Sequence, residues 1–167
     1  RQNKLDGVVI TGGEPTIHKD LPDFIKKVRA LGFLVKLDTN GTNPAMIKQL
    51  IEEKSVDYFA MDIKSSPAKY GAAVGAVGGK AGIEAVKEAA RLIMASGIDY
   101  EFRTTSLPGL VSENDLMEIA TWIRGAKKYC IQRFRPVGDL MDSSYYQEQT
   151  YSEKELHNFK EMLKPFL

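Results

Sequence analysis

Five short apolar runs alternate with helical runs along this chain, and no other feature of the sequence restricts its fold as strongly. The predicted strands are residues 7–11, 33–37, 56–61, 98–104 and 128–134. The predicted helices are residues 21–30, 44–53 and 83–96, followed by one helix capped by Ser112 and one capped by Ser152. Strands that each lead into a helix predict an α/β fold with a parallel sheet and right-handed crossovers. At about 31 residues per unit, this length suits either a doubly wound open sheet or most of a partial barrel.

Length, charge and cysteine content exclude several classes of protein. The chain has 167 residues, of which 43% are hydrophobic and 27% are charged, and we treat residues 1–167 as a single domain. A net charge of +1 gives no reason to expect nucleic acid or an acidic membrane surface as a partner. No run approaches the roughly 18 apolar residues of a membrane span. With Cys130 as the one cysteine, the chain has no internal disulfide, and we expect a cytoplasmic location.

Polar and charged residues follow every predicted strand at its carboxyl end. Both open α/β sheets and barrels bind their ligands at that edge. We therefore expect these side chains to converge at one end of the sheet. In chain order they are Gly12, Gly13 and Glu14, then Asp38, Thr39 and Asn40, then Asp62 and Lys64, then Arg103, and last Gln132 and Phe134.

Each of these signals has a structural alternative when it is taken alone. A pair of glycines after a strand is usually a simple turn, and Asn40-Gly41 is a common turn dipeptide. Asp62 and Lys64 lie on one face of their strand, because they are two residues apart, and such a pair more often forms an ion pair than a site. Five such strand ends in one register favour a ligand site over five unrelated turns.

Three motifs of this sequence closely resemble those of the radical S-adenosylmethionine (SAM) superfamily. The resemblance is closest to the glycyl-radical-enzyme activases, which include pyruvate formate-lyase activating enzyme and the activating protein of anaerobic ribonucleoside-triphosphate reductase. It implies a partial (β/α) barrel of six parallel units, of which these five strands would be units two to six. The motifs are Thr11-Gly12-Gly13-Glu14-Pro15, Asp38-Thr39-Asn40-Gly41-Thr42 and Met61-Asp62-Ile63-Lys64.

The first unit of that family carries the motif Cys-x-x-x-Cys-x-x-Cys, whose thiolates hold a 4Fe–4S cluster. This sequence has no such motif. We therefore expect a truncated radical SAM core whose cluster ligands lie upstream of residue 1, with no catalytic residue assignable in this chain. The first predicted strand would then be a sheet edge, with an exposed apolar strip along residues 8–11 through which the chain self-associates.

The resemblance also implies cofactors and residue roles. The cofactors would be SAM and the 4Fe–4S cluster, which together generate a 5′-deoxyadenosyl radical, while the protein binds and orients them. The implied turn for the SAM amino group is formed by Gly12, Gly13 and Glu14, and positive charge for the SAM carboxylate comes from Lys64 and Arg103. Contacts to the methionine and ribose, or to a monovalent cation, are implied for Asp38, Thr39 and Asp62. Further cofactor contacts are implied for Asn40, Gln132 and Phe134.

The implied partners are a glycyl radical enzyme of the anaerobic ribonucleotide reductase or pyruvate formate-lyase type, and an electron donor such as flavodoxin or ferredoxin. Three alternatives stay open. The first is another radical SAM enzyme, such as a deazaguanine carboxylate synthase, and the second is a non-catalytic scaffold domain. The third is an aldolase-like barrel with Lys64 as a Schiff-base lysine. The neighbouring Asp62 weakens this third alternative, because it stabilises the charged form of the lysine.

Overall fold

The computed structural model describes residues 5–74, 79–135 and 150–167, which form one parallel sheet in the order β1-β2-β3-β4-β5. A strictly sequential order is that of a barrel wall, whereas a doubly wound sheet changes direction at a switch point. The predicted partial (β/α) barrel is therefore confirmed, and the doubly wound alternative is wrong. The strands are β1 (Gly7–Ile10), β2 (Leu34–Thr39), β3 (Tyr58–Asp62), β4 (Asp99–Ser106) and β5 (Tyr129–Arg133).

The described residues also include six α-helices and two 3-10 turns, at Pro15–Ile17 and Lys164–Phe166. None of these helices combines the length and apolar character that crossing a membrane requires. Helix α3 and the first turn of α4 fall in a segment that the sequence predicted to be a glycine-rich connection. The helices are α1 (Leu21–Ala30), α2 (Pro44–Glu52), α3 (Tyr70–Ala73), α4 (Gly79–Ala95), α5 (Glu113–Trp122) and α6 (Glu153–Leu163).

Local side chains set the helix starts much as predicted. Ser152 Oγ accepts a hydrogen bond from Glu155 N at 3.3 Å, and the Glu155 carboxylate accepts one from Ser152 N at 2.8 Å. This reciprocal capping box satisfies backbone donors that the first turn of α6 leaves without helical partners. The middle of the glycine-rich connection, at residues 75–78, and the predicted polar loop at 138–149 lie outside the described residues.

The two faces of the sheet differ in polarity, because successive side chains of a strand point to opposite sides. Right-handed crossovers between sequential strands place the helices on one face, and there the strands bury apolar side chains. We call the opposite side the open face; its side chains are charged and partly exposed. The buried set is Val35, Leu37, Phe59, Met61, Tyr100 and Phe102. The partly exposed set is Lys36, Asp38, Tyr58, Asp62, Glu101 and Arg103.

Strand β1 is an edge of the sheet and pairs with β2. Val9 is 53% exposed, and Leu34 of β2, on the same face of the sheet, is 57% exposed. Val9 and Leu34 form an exposed apolar strip at this edge, whereas Val8 and Ile10 of the expected strip are partly buried against the core.

Candidate functional site

Four charged side chains meet on the open face at the carboxyl ends of β2, β3 and β4. Arg103 Nε donates to Asp62 Oδ1 at 2.8 Å, and both terminal nitrogens of Arg103 lie 3.2 Å from Asp38 Oδ2. Lys64 Nζ donates to Asp62 Oδ2 at 3.0 Å. We call these four residues the aspartate–arginine cluster. They are one of two groups of sequence-predicted site residues that the fold brings into direct contact.

One atom of this cluster lacks a hydrogen-bond partner among the described residues. Asp38 Oδ1 is buried without a donor, and Lys36 Nζ lies 3.9 Å from it. A buried carboxylate oxygen without a donor is unfavourable, and in native proteins such atoms call for an explanation. The cluster is therefore ready to accept one further hydrogen bond from a ligand.

Arg103 holds the cluster together electrostatically. Partial burial alone would lower the pKa of its guanidinium, but the hydrogen bond and charge of Asp62, together with Asp38, raise that pKa above the ordinary value. A guanidinium is charged at every physiological pH. The two carboxylates consequently share one permanent cation.

A second row of charges lies on the open face toward the amino ends of the strands. Glu101 accepts from Lys36 Nζ at 3.3 Å and forms an ion pair with Lys128 Nζ at 2.8 Å. Burial would raise the pKa of Glu101, but these two lysines lower it. Cys130 Sγ lies 3.8 Å from Glu101, and burial and that negative charge raise the pKa of the thiol.

Sequence reasoning missed this row. The available signal is the recurrence of charged residues at every second position of β2 and β4, at Lys36 and Asp38 and again at Glu101 and Arg103. In a buried parallel sheet both faces are apolar, so this pattern indicates a sheet with one polar face.

Glu14 does not join the aspartate–arginine cluster. Its carboxylate accepts from Thr16 N at 3.1 Å, from Thr39 Oγ1 at 2.7 Å and from Asn40 N at 2.6 Å. Thr39 lies on the helix side of β2 and is 4% exposed, so its hydroxyl points away from Asp38. The carboxylate therefore ties the turn after β1 to the end of β2.

The glycine turn itself leaves open space beside its backbone. Gly12 has a φ of 139°, a backbone angle that residues other than glycine adopt only with strain. A Cβ built on Gly12 or Gly13 would meet nothing within 4 Å. A cavity of about 380 Å³ lies against this turn, lined mainly by apolar residues that include Ile10 and Phe24. The turn can therefore present backbone groups to a ligand.

The remaining predicted residues lie around these two groups. Asn40 uses its side-chain oxygen locally, accepting from Thr42 N at 3.0 Å. Gln132 is exposed on β5 and pairs in register with Thr105, which places it on the open face. Phe134 follows the end of β5, where its N donates to Ser106 O at 3.3 Å. Gln132 and Phe134 thus extend the site without a contact to the cluster.

The side chains of the described residues do not by themselves supply the ligands of the metal groups that the resemblance implies. The described residues contain no group of three His, Cys, Asp or Glu side chains placed to hold a metal ion. Arg103 already lies between Asp38 and Asp62, and the Thr39 hydroxyl faces the helix side, so these residues do not form a cation site together. Cys130 is the chain's one cysteine, and a single thiolate does not hold a 4Fe–4S cluster.

Comparison with known proteins places this chain among radical SAM proteins. The sequence model of the radical SAM superfamily matches residues 1–123. Two proteins of Methanocaldococcus jannaschii, provisionally named glycyl-radical enzyme activating enzymes, are 33% identical over 164 residues and 25% identical over 120 residues. The first alignment covers 97% of this chain and 68% of the relative, and the second covers 72% and 46%. This chain therefore spans between about half and two thirds of these relatives' lengths.

The fold has a counterpart among solved structures. A domain of a pyruvate-formate lyase-activating enzyme from Bacteroides vulgatus superposes with a TM-score of 0.71. The superposition covers 96% of this chain and 94% of that domain, at 17% sequence identity. At such an identity the likeness concerns the fold alone.

Proposed function

Because this chain belongs to the radical SAM superfamily, we propose that it forms the SAM-binding core of an enzyme that activates a glycyl-radical enzyme. The observation that carries the proposal is the buried, unpartnered Asp38 Oδ1 inside a charge cluster at the strand ends. The relative that is 33% identical over nearly the whole chain supports the activase assignment.

The chemical groups of SAM match the groups that the site offers. SAM carries an ammonium, a carboxylate and two ribose hydroxyls. Asp38 Oδ1 would accept a hydrogen bond from a ribose hydroxyl. Lys64 is 44% exposed and forms one side-chain hydrogen bond within the described part of the chain, to Asp62, which leaves its ammonium two donors for the SAM carboxylate. Backbone groups of the Gly12-Gly13 turn would meet the SAM ammonium, with Glu14 holding the turn in place.

The reactive chemistry would come from the cofactors. When bound, SAM and a 4Fe–4S cluster supply a 5′-deoxyadenosyl radical, which in the activases abstracts a hydrogen atom from a glycine. Residues of this chain would orient SAM and leave the open face accessible to the partner. We propose that the partner is a glycyl radical enzyme of the anaerobic ribonucleotide reductase or pyruvate formate-lyase type, and that flavodoxin or ferredoxin donates the electron.

The Schiff-base alternative gains no support from the geometry. A Schiff-base lysine attacks as a neutral amine, whereas the ion pair between Lys64 Nζ and Asp62 Oδ2 at 3.0 Å stabilises the charged ammonium.

Calorimetric titration with two ligands tests the assignment. SAM carries all of the groups named above, whereas 5′-methylthioadenosine keeps the ribose and lacks the ammonium and the carboxylate. We expect Asp38→Asn to weaken the binding of both ligands about tenfold or more, since each 1.4 kcal/mol is tenfold. Lys64→Gln should weaken the binding of SAM and leave that of methylthioadenosine unchanged. Without a cluster to anchor its amino acid, SAM should bind this chain no tighter than roughly millimolar.

Asp23→Asn is the matched control, because it makes the same change of charge as Asp38→Asn at a residue that is 77% exposed on α1. Circular dichroism checks that each variant folds. Equal SAM affinity for the wild type, Asp38→Asn and Lys64→Gln would show that the site is wrongly assigned.

A further inference from the structure

Asp38 and Asp62 project onto the open face from neighbouring strands and share a single cation. Arg103 Nε is 2.8 Å from Asp62 Oδ1, and its two terminal nitrogens are each 3.2 Å from Asp38 Oδ2. All three side chains are largely buried, with side-chain exposures of 15% for Arg103, 19% for Asp38 and 31% for Asp62. Two carboxylates this close disfavour each other's charged form unless a positive charge lies between them.

The strand register explains how one arginine reaches both aspartates. Arg103 on β4 pairs directly with Asp62 on β3, whereas Asp38 on β2 pairs with Ala60 on β3. To reach Asp38, the arginine side chain must cross β3 between Ala60 and Asp62. Ala60 belongs to the open face and is nevertheless 0% exposed, so neighbouring side chains cover it.

A second ion pair crosses β3 on the other side of Ala60. Lys36 pairs in register with Tyr58 of β3, and Glu101 pairs with Ala60 of β3. The contact of 3.3 Å between Lys36 Nζ and Glu101 Oε1 therefore crosses β3 between Tyr58 and Ala60. The methyl group at position 60 leaves room for both crossings. The packing of the open face is thus built around long cationic side chains that span three strands.

The charges of the cluster balance without an added ion. Asp38 and Asp62 contribute two negative charges, and Arg103 and Lys64 contribute two positive charges. Lys36 Nζ also lies 3.9 Å from Asp38 Oδ1, but it is closer to Glu101, at 3.3 Å. Without Arg103, the three remaining residues of the cluster would carry a net charge of −1, and the two carboxylates would keep Lys64 and the shared Lys36 as their cations. Oxygen donors of that kind bind hard cations.

We infer that Arg103 is a built-in counter-cation of this site, occupying the place between Asp38 and Asp62 that the activase resemblance assigns to a monovalent cation. The site is therefore independent of sodium and potassium ions. This inference deepens the proposed function, and it rests on that function for the identity of the ligand. Arg103 is a positioning residue, because it fixes the orientation of Asp38 and so aims Oδ1 at the ligand.

Thermal unfolding in different salts tests the inference without any SAM. The chain is melted at equal ionic strength in sodium, potassium or tetramethylammonium chloride. We expect the Tm of the wild type to be the same in all three salts. Arg103→Gln removes the guanidinium, so its Tm should be about 2–4 °C higher in sodium or potassium than in tetramethylammonium, which is the shift that corresponds to about 1 kcal/mol of stabilisation in a chain of this length.

Two further variants separate charge at this site from charge in general. Arg103→Lys keeps a cation near both aspartates and should stay insensitive to the salt. Arg91→Gln makes the same change of charge on α4, where Arg91 is 64% exposed and paired with Glu88, and it should also stay insensitive. Sodium-23 line broadening should show a saturable site in Arg103→Gln and none in the wild type.

The inference is overturned if the wild type itself is stabilised by sodium or potassium over tetramethylammonium and Asp38→Asn abolishes that difference. If Arg103→Gln does not fold in any salt, the wild type and Arg103→Lys decide the question. Melting of both proteins at a Tm that is independent of the salt supports the inference. Salt-dependent melting of the wild type overturns it. Failure of SAM to bind would contradict the proposed function and leave these cation results unchanged.

Discussion

At the scale of single residues, Glu14 links two strand ends through one carboxylate. It accepts from Thr16, from the buried hydroxyl of Thr39 and from Asn40 N. Glu14→Ala would leave these donors without their acceptor, and hydrogen bonds to a charged group contribute about 1.5–3 kcal/mol each. We expect the free energy of unfolding to fall by about 2–3 kcal/mol, measured by urea denaturation.

Glu52→Ala is the control for that measurement, because Glu52 is 65% exposed on α2 and its ion pair with Lys48 is long, at 3.8 Å. An exposed substitution of this kind changes stability by no more than about 0.5 kcal/mol. If Glu14→Ala costs no more than Glu52→Ala, the Glu14 carboxylate does not hold the turn.

At the scale of elements, Asp115 joins the start of α5 to the loop after β3. Its carboxylate accepts from Ser66 Oγ at 2.7 Å, from Lys69 Nζ at 2.7 Å and from Ser112 N at 2.8 Å. Burial alone would raise the pKa of this carboxyl, but these donors hold it well below the usual range. The loop that carries Lys64 out of β3 is thereby fastened to a helix on the next unit.

The depressed pKa gives this contact a defined pH dependence. The carboxyl of Asp115 binds its proton more weakly in the folded chain than in the unfolded chain, where an aspartate has a pKa of about 3.9. The stabilisation is therefore complete above about pH 4 and is lost as the pH falls below that value toward the folded pKa. We expect Asp115→Asn to lower the free energy of unfolding by about 2–3 kcal/mol at pH 7, with a smaller difference at pH 3.

Urea denaturation of both proteins between pH 7 and pH 3 measures that difference, and Asp23→Asn serves as the exposed control. A difference between the wild type and Asp115→Asn that stays constant down to pH 3 would contradict the assignment.

At the scale of the whole molecule, the sheet ends at β1 with an apolar strip beside it. Val9 is 53% exposed, and Leu34 on the same face of the neighbouring strand β2 is 57% exposed. Unpaired strand edges and exposed apolar patches favour association between molecules. We expect the 167-residue chain to self-associate as its concentration rises, as measured by sedimentation velocity.

Val9→Glu should reduce that association, because a charge on an edge strand opposes pairing with another chain. Val9 pairs in register with Lys36, so the new carboxylate has a favourable neighbour and the fold should tolerate it. Thr121→Glu on α5 is the control of equal charge and should associate like the wild type. A wild type that stays monomeric at all concentrations would show that the strip does not drive association.

Much of the architecture followed from local patterns. The alternation of apolar runs and amphipathic helices predicted five parallel strands, and the structure confirms them with ends shifted by one or two residues. Helix α3 and the start of α4 were missed, since Tyr70–Ala73 is only four residues long and the first turn of α4 carries few large apolar residues. The N-cap of α6 at Ser152 was predicted correctly, because capping depends on residues a few positions apart.

The sequence alone determined which residues stand at the strand ends, because strand period and helix caps are local properties of the chain. It also determined the family, since three motifs lie in order along those strand ends. Only the tertiary structure decided which of these residues meet. It separated Glu14 and Thr39 from Asp38, and it placed Arg103 between two aspartates. The reason is that these contacts depend on the register between strands and on the small side chain of Ala60. The contacting residues are 25 to 65 positions apart along the chain, so they come together only when the sheet forms.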